Sequence, residues 1–120
     1  MRIFEQGEKI NFVDENNVLL GYDLGQSCCE YANWFIADKP QDTIPEPLNQ
    51  ESELQNYTFD TGYFAEAGNE DVLDAGSIAI FRITDGTNEK FIHLFNCHNG
   101  YYYHGFDFII NKTTLHSGRI

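Results

Sequence analysis

The stretch from residue 90 to residue 110 constrains the fold most, because two runs with an alternating pattern flank the dipeptide Asn99-Gly100. Asn-Gly is the strongest short sequence signal for a two-residue β-hairpin turn. A turn there predicts that Lys90 to Cys97 and Tyr101 to Ile110 are paired antiparallel strands. The cross-strand neighbours expected from this turn are Cys97 and Tyr102, Phe95 and His104, His93 and Phe106, and Phe91 and Phe108.

Side chains alternate across a strand, so this hairpin would sort its residues onto two faces. The aromatic face, expected to form the core, carries Phe91, His93, Phe95, Cys97, Tyr102, His104, Phe106 and Phe108. The smaller polar face carries Asn96, His98, Tyr101, Tyr103 and Asp107. Tyrosine rings stack on planar ligands while Asn and His supply hydrogen bonds, so this face is the candidate small-ligand site. Arg82 and Arg119 could add positive charge to it. An exposed tyrosine pair or a dimer contact explains the same face equally well.

The rest of the chain adds further strand signals. Residues 9–23 predict a second hairpin that turns at Glu15-Asn16-Asn17. Ser77 to Thr84 is apolar on both faces and predicts a central strand, whereas Thr114 to Ile120 predicts an edge strand. Residues 57–68 predict a strand that bends at Gly62.

Two segments depart from strand patterning. Ser27 and Glu30 have the spacing of a capping box, which predicts a short helix from about Cys28 to Asn33. Pro40 to Asn56 contains three prolines and several acidic residues, which predict a long acidic loop. With 120 residues, the chain is expected to be a single α+β domain, a mostly antiparallel β-sheet built as a meander of hairpins with one short helix and that loop.

The charge is strongly negative, with nineteen acidic residues against seven basic ones and a formal net charge of −12. The acidic residues expected to form a partner surface are Glu51, Glu53, Asp60, Glu70, Asp71 and Asp74. Such a surface repels nucleic-acid backbones and anionic lipids, so neither direct nucleic-acid binding nor membrane binding is expected. It would suit a basic partner, although acidic runs are also typical of a solvated surface.

The thiols and imidazoles raise the question of a metal site. Three cysteines, an odd number, indicate reduced thiols and a cytoplasmic location, and no apolar run suits a signal or a membrane span. The side chains that could supply zinc ligands are Cys28, His93, Cys97 and His104. The competing interpretation makes each a half-buried residue bonded to a neighbour, and the absence of a Cys-x-x-Cys pair favours it. No metal, cofactor or catalytic residue is therefore expected. Arg82, among apolar neighbours, is expected to pair with a carboxylate.

Three motifs, GYDLGQSCCE (residues 21–30), WFIAD (34–38) and NCHNGYYYHGF (96–106), resemble a family of short uncharacterised bacteriophage and bacterial proteins. The resemblance leaves out the acidic loop, and the family has no assigned reaction. It implies a non-enzymatic phage accessory protein in the host cytoplasm, such as a host-defence antagonist that sequesters a nucleotide-type signal or small ligand. A homo-oligomer is compatible with this role. The alternatives are an acidic nucleic-acid mimic that inhibits a basic host protein, and a small zinc or thiol protein.

Overall fold

The structure is a computed structural model that describes residues 1–25, 31–51, 53–67, 76–97 and 104–120. The regular secondary structure in these ranges consists of antiparallel β-strands. The ten strands in these ranges are β1 (Arg2–Gln6), β2 (Lys9–Val13), β3 (Val18–Asp23), β4 (Tyr31–Ala37), β5 (Thr58–Phe59), β6 (Ala65–Ala67), β7 (Gly76–Thr84), β8 (Glu89–Cys97), β9 (Gly105–Ile110) and β10 (Thr113–Arg119). Within these ranges, no helix is long or apolar enough to cross a membrane.

The strands form two five-stranded sheets. The first sheet has the order β1-β2-β3-β9-β10, and the second has the order β4-β8-β7-β5, with β6 also paired to β7. The inner faces of both sheets contribute to one buried cluster, as in a β-sandwich. The chain passes from the first sheet to the second after β3 and returns to it after β8, so each sheet contains strands that are distant in sequence.

The β2–β3 hairpin confirms the alternation in the sequence. The inward-facing residues of its two strands are all buried, and they are Ile10, Phe12, Val18, Leu20 and Tyr22. The Asp14 carboxylate closes the turn, because its Oδ1 accepts the backbone N–H groups of Asn16 and Val18, each at 2.9 Å. Asn17 adopts a left-handed conformation with φ of 61°, which asparagine tolerates better than most residues.

Aromatic rings join the two sheets across the core. Phe81 of β7 contacts both Phe106 and Phe108 of β9, with ring centroids 5.9 and 5.0 Å apart. Phe12 of β2 meets Trp34 of β4 edge to face at 5.0 Å. The phenylalanines of β9 therefore do pack in the core, as the sequence predicts, but they pack against β7 of the opposite sheet.

A loop covers the outer face of the second sheet. A second apolar cluster lies on that face, and its buried members are Phe35, Ile78, Ile80, Phe91 and Phe95. Ile44 and Leu48 pack on it from residues 38–51, here called the covering loop. The Ile36 N–H donates to the Asn49 carbonyl at 2.8 Å and fixes the far end of this loop. The predicted acidic loop is confirmed, since residues 40–51 and 53–56 contain no strand or helix, and part of it buries a sheet face.

The predicted hairpin of residues 90–110 is wrong in its strand pairing. β8 pairs with β4 and β7, whereas β9 pairs with β3 and β10 in the other sheet. The expected pairs Phe95–His104, His93–Phe106 and Phe91–Phe108 are therefore not formed, and residues 98–103, with the Asn99-Gly100 turn, lie outside the described residues. Alternation identifies the faces of a strand but not its partner, and the apolar faces of β9 and β3 complement each other: Phe108 lies opposite Leu20, and Phe106 opposite Tyr22.

The predicted helix is not confirmed. Residues 26–30 lie outside the described residues, and the part of the helix that is described, residues 31–33, begins strand β4. Ala32, Trp34 and Ile36 are all buried in one alternating row, so the strand pattern extends further toward the N-terminus than the capping-box spacing indicates. The described residues make a mostly antiparallel β-structure with no helix.

Other predicted elements are confirmed. β7 is flanked by β8 on one side and by β5 and β6 on the other, as expected for a central strand. β10 is an edge strand, and the predicted bend at Gly62 separates β5 from β6. Strand β1, at the N-terminus, was not expected.

Candidate functional site

Three of the six predicted small-ligand residues, Asn96, Arg82 and Arg119, are described, and Asn96 and Arg82 lie on opposite faces of the second sheet. Asn96 is fully buried on the inner face of β8, where its Nδ2 donates to the Ile120 carbonyl at 2.9 Å. Arg82 lies in the same row of β7 as Ile78 and Ile80, on the outer face of the same sheet. Asn96 lies opposite Ser77 of β7, and Arg82 is five residues further along β7. Arg82 is therefore also displaced from Asn96 by roughly 16 Å along the strand direction. Arg119 is exposed on β10 of the first sheet, and His98, Tyr101 and Tyr103 lie outside the described residues.

Arg82 is engaged with carboxylates, as the sequence predicts. Its Nε donates to Oε2 of Glu89 at 2.7 Å, and its Nη1 donates to Oδ2 of Asp60 at 3.0 Å. The hydrogen bond to Glu89 contributes most to raising the pKa of the guanidinium, and that to Asp60 adds to it. A ligand that used Arg82 would have to compete with both carboxylates.

His93 anchors the covering loop. Its ring is fully buried and stacks on Phe35, with centroids 4.4 Å apart and planes 9° apart. The backbone N–H of Gln41 donates to Nε2 at 3.1 Å, so the ring proton must be on Nδ1, which lies 3.1 Å from the Phe91 carbonyl. This arrangement requires a neutral imidazole, and burial lowers the pKa of His93 to about 4.

The other members of the hypothetical zinc site lie elsewhere. His104 is buried beside the first sheet, with Nδ1 2.6 Å from the Asp23 carbonyl. Cys97 is half-buried on β8, four residues and roughly 13 Å along the strand from His93. Cys28 lies outside the described residues. Among the described residues, no three His, Cys, Asp or Glu side chains are grouped so as to hold a metal ion.

The acidic residues of the predicted partner surface differ in their surroundings, since some form ion pairs and another is exposed. The Glu51 carboxylate lies 2.8 Å from Lys90 Nζ, and Asp60 pairs with Arg82 as described above. Glu53 is exposed, while Glu70, Asp71 and Asp74 lie outside the described residues. Ion pairing thus partly neutralises two of the three described members.

A cleft of about 420 Å³ lies where β1 at the edge of the first sheet faces β4 at the edge of the second. Trp34 and Ala32 contribute its apolar part, and the side chains of Asn33 and Gln50 contribute amides. Two carboxylates, from Glu5 and Glu8, complete its polar part. The remaining lining comes from Gly7, Leu24 and Gly25.

The two carboxylates of the cleft are held by the fold of the first sheet. Glu5 pairs with Ile10, which is buried, so the acidic side chain occupies an inward-facing position of an edge strand. Glu8 accepts the Leu24 N–H on its backbone carbonyl at 2.7 Å, and its exposed carboxylate lies against Gly25. In the part of the chain that the structure describes, no Lys, Arg or His forms an ion pair with Glu5 or Glu8.

The sequence interpretation missed this cleft. The run RIFEQGEKI does carry a signal, because Gly7-Glu8 could turn the chain between two alternating segments and place Glu5 opposite Ile10. No local sequence signal predicts that Trp34 lies near this hairpin, because β1 and β4 are edge strands of different sheets.

Comparison of the chain with family models, curated proteins and solved structures gave no match. The resemblance to phage and bacterial proteins therefore stays a prediction from three motifs. The functional proposals rest on the chemistry of the described residues.

Proposed function

We propose that the chain is a non-enzymatic binding protein whose acidic surface engages a basic protein partner. The observation that supports this proposal most is that the few cations of the chain are partly engaged within it. Three of the seven, Lys9, Arg82 and Lys90, form ion pairs with carboxylates of the same chain. The acidic residues outnumber all seven cations by twelve, and this excess of negative charge is available to a partner of opposite sign.

The positions of the three histidines that the structure describes support a binding role over a catalytic one. His93 uses both ring nitrogens to hold the backbone, and His104 is buried against the Asp23 carbonyl. His116 stacks on Phe64, with centroids 4.3 Å apart and planes 16° apart. In these positions the imidazoles serve packing and loop anchoring, whereas a general base must reach a substrate proton.

The competing proposal, sequestration of a nucleotide-type signal, receives less support. It uses Asn96 together with an arginine, and Asn96 and Arg82 lie on opposite faces of the second sheet. A nucleotide phosphate would also meet a protein of strongly negative charge. The phage resemblance is compatible with either proposal, and for a basic partner it points to a host protein in the cytoplasm, in keeping with an inhibitor that mimics nucleic acid.

Affinity capture followed by mass spectrometry tests this function. The wild-type chain and a triple variant, Glu15→Gln, Glu53→Gln and Glu66→Gln, would each be incubated with nuclease-treated bacterial lysate. These three carboxylates are exposed. A variant with exposed amides replaced, Asn16→Ala and Gln55→Ala, is the matched control.

We expect the wild type and the amide variant to retain a basic protein at low salt, and the triple variant to retain at least threefold less. Retention should fall steeply as salt rises, because charge attraction between exposed groups is screened. Native mass spectrometry that finds a bound small molecule and no basic protein would contradict the proposal.

A further inference from the structure

We propose that the cleft between β1 and β4 receives an arginine side chain of the basic partner, with its guanidinium against the carboxylates of Glu5 and Glu8. This inference rests on the proposed function, because it specifies where the basic partner is recognised. The inference specifies which residue type of the partner is bound and where it is bound, and net charge alone predicts neither.

The placement of Glu5 is the first observation. Its neighbours in the inward-facing row are Ile3 on the same strand and Ile10 on the next, both apolar. Glu5 is exposed, so its carboxylate is accessible to a cation at the mouth of the inter-sheet space. Glu8, on the adjacent turn, lines the same cleft and adds a second negative charge.

The remaining lining favours a guanidinium over an ammonium group. Trp34 is only 7% exposed and packs on Phe12, so it contributes an apolar edge and not a ring face. The preference for arginine rests on its planar fork, which binds carboxylates through two hydrogen bonds. The Gln50 Nε2 donates to the Trp34 carbonyl at 2.9 Å and to Asn33 Oδ1 at 2.8 Å. With Nε2 held in this way, Oε1 is the atom of that amide that a bound donor would meet.

The cleft is large enough to admit an arginine side chain. A volume of about 420 Å³ lies toward the lower end of the range of about 300–1,000 Å³ for small-ligand sites. The cleft is open to solvent on the side of the β1–β2 turn, where Gly7, Glu5 and Glu8 are exposed, so a side chain of another protein can enter.

An inward-pointing charge on an edge strand also has a role that needs no ligand. Such charges discourage pairing of the exposed edge with another chain. That role requires a charge at Glu5 but neither selectivity for arginine nor a response of the indole, so the two roles predict different outcomes in a binding experiment.

Trp34 is the only tryptophan of the chain, so its fluorescence reports on this cleft alone. The probes are N-acetyl-arginine amide and its uncharged isostere N-acetyl-citrulline amide, with N-acetyl-lysine amide as a second cation. We expect the arginine probe to change the Trp34 emission saturably, with a Kd of roughly millimolar order. The lysine probe should bind at least threefold more weakly, and the citrulline probe should give no saturable change.

The variant Glu5→Gln, Glu8→Gln should bind the arginine probe at least tenfold more weakly. Asp42→Asn, which removes an exposed charge outside the cleft, should bind it as the wild type does. Thermal unfolding of each variant verifies that the fold is retained. An equal response to arginine and citrulline, or unchanged arginine binding in the double variant, would overturn the cleft proposal.

Capture from lysate separates this proposal from the proposed function. If wild type and Glu5→Gln, Glu8→Gln retain the same basic protein equally, the cleft proposal fails and the acidic-surface function stands. If the wild type retains no basic protein, the proposed function fails, and with it the identification of the arginine as part of a partner.

Discussion

The hydroxyl of Tyr22 on β3 donates a hydrogen bond of 2.8 Å to the backbone carbonyl of Phe95 on β8. This bond joins the two sheets through the core. Tyr22 is fully buried, so its hydroxyl has no access to water and depends on this acceptor. Burial also raises the pKa of Tyr22 far above its ordinary value, which keeps the phenol protonated and able to donate.

Replacing Tyr22 with Phe should lower the free energy of unfolding by about 1 kcal/mol, because the variant keeps the ring but loses the hydrogen bond between the sheets. Urea denaturation measures this difference. The matched control is Tyr31→Phe, since Tyr31 is 45% exposed, and its effect should stay within about 0.5 kcal/mol. Equal losses in the two variants would mean that the buried hydroxyl contributes nothing specific.

Replacing Asp14 with Ala should be more destabilising, by about 3 kcal/mol, because a single buried carboxylate serves both sheets. In addition to closing the β2–β3 turn, its Oδ2 accepts the N–H of Phe59 on β5 at 2.8 Å. Chemical denaturation of Asp14→Ala and of the exposed neighbour Glu15→Gln provides the comparison. A loss for the Asp14 variant no larger than that for the Glu15 variant would contradict this role.

The parts of the fold that the sequence predicts are those specified by neighbouring residues. The β2–β3 hairpin needs only a period of two and a turn at Asn16 and Asn17, and all of these signals lie within fifteen residues. Neighbouring residues do not specify which strand pairs with β9. Its row of Phe106 and Phe108 would fit any strand with complementary apolar residues, and β3, more than eighty residues away, provides them.

The burial of Asn96 was not predicted, for a related reason. The alternation along β8 is correct, since Asn96 shares its row with Ile92 and Leu94. The sequence pattern was interpreted as giving this strand one solvent-exposed face, which the structure does not show. Both faces of β8 are buried, one by the first sheet and the other beneath the covering loop, and a polar residue on such a strand is a core residue. Arg82 was predicted correctly because a chain rich in acids supplies a partner for almost any arginine.

Replacing Phe81 with Ala should cost about 4 kcal/mol of unfolding free energy, because it leaves a cavity between β7 and β9. Phe81 is fully buried and contacts Phe64 in addition to the two phenylalanines of β9. Phe4→Ala is the control, since Phe4 is 36% exposed on the edge strand β1. Thermal or urea unfolding should show a difference between the variants of at least about 2 kcal/mol. Similar stabilities would indicate that the two sheets do not pack through this ring.

Replacing His93 with Gln should flatten the pH dependence of stability, because Gln can place an acceptor near the Nε2 position and does not titrate. The pKa of His93 is lowered from 6.5 to about 4 in the folded chain, so folding favours the neutral ring. Its contribution is complete above pH 6.5 and is lost as the pH falls toward 4, by at most about 3 kcal/mol. Protonation would remove the acceptor that holds Gln41 and the covering loop. Urea denaturation between pH 4 and 7.5 should therefore show a steeper loss for the wild type, with a slope difference of up to one proton, whereas parallel curves would contradict this account.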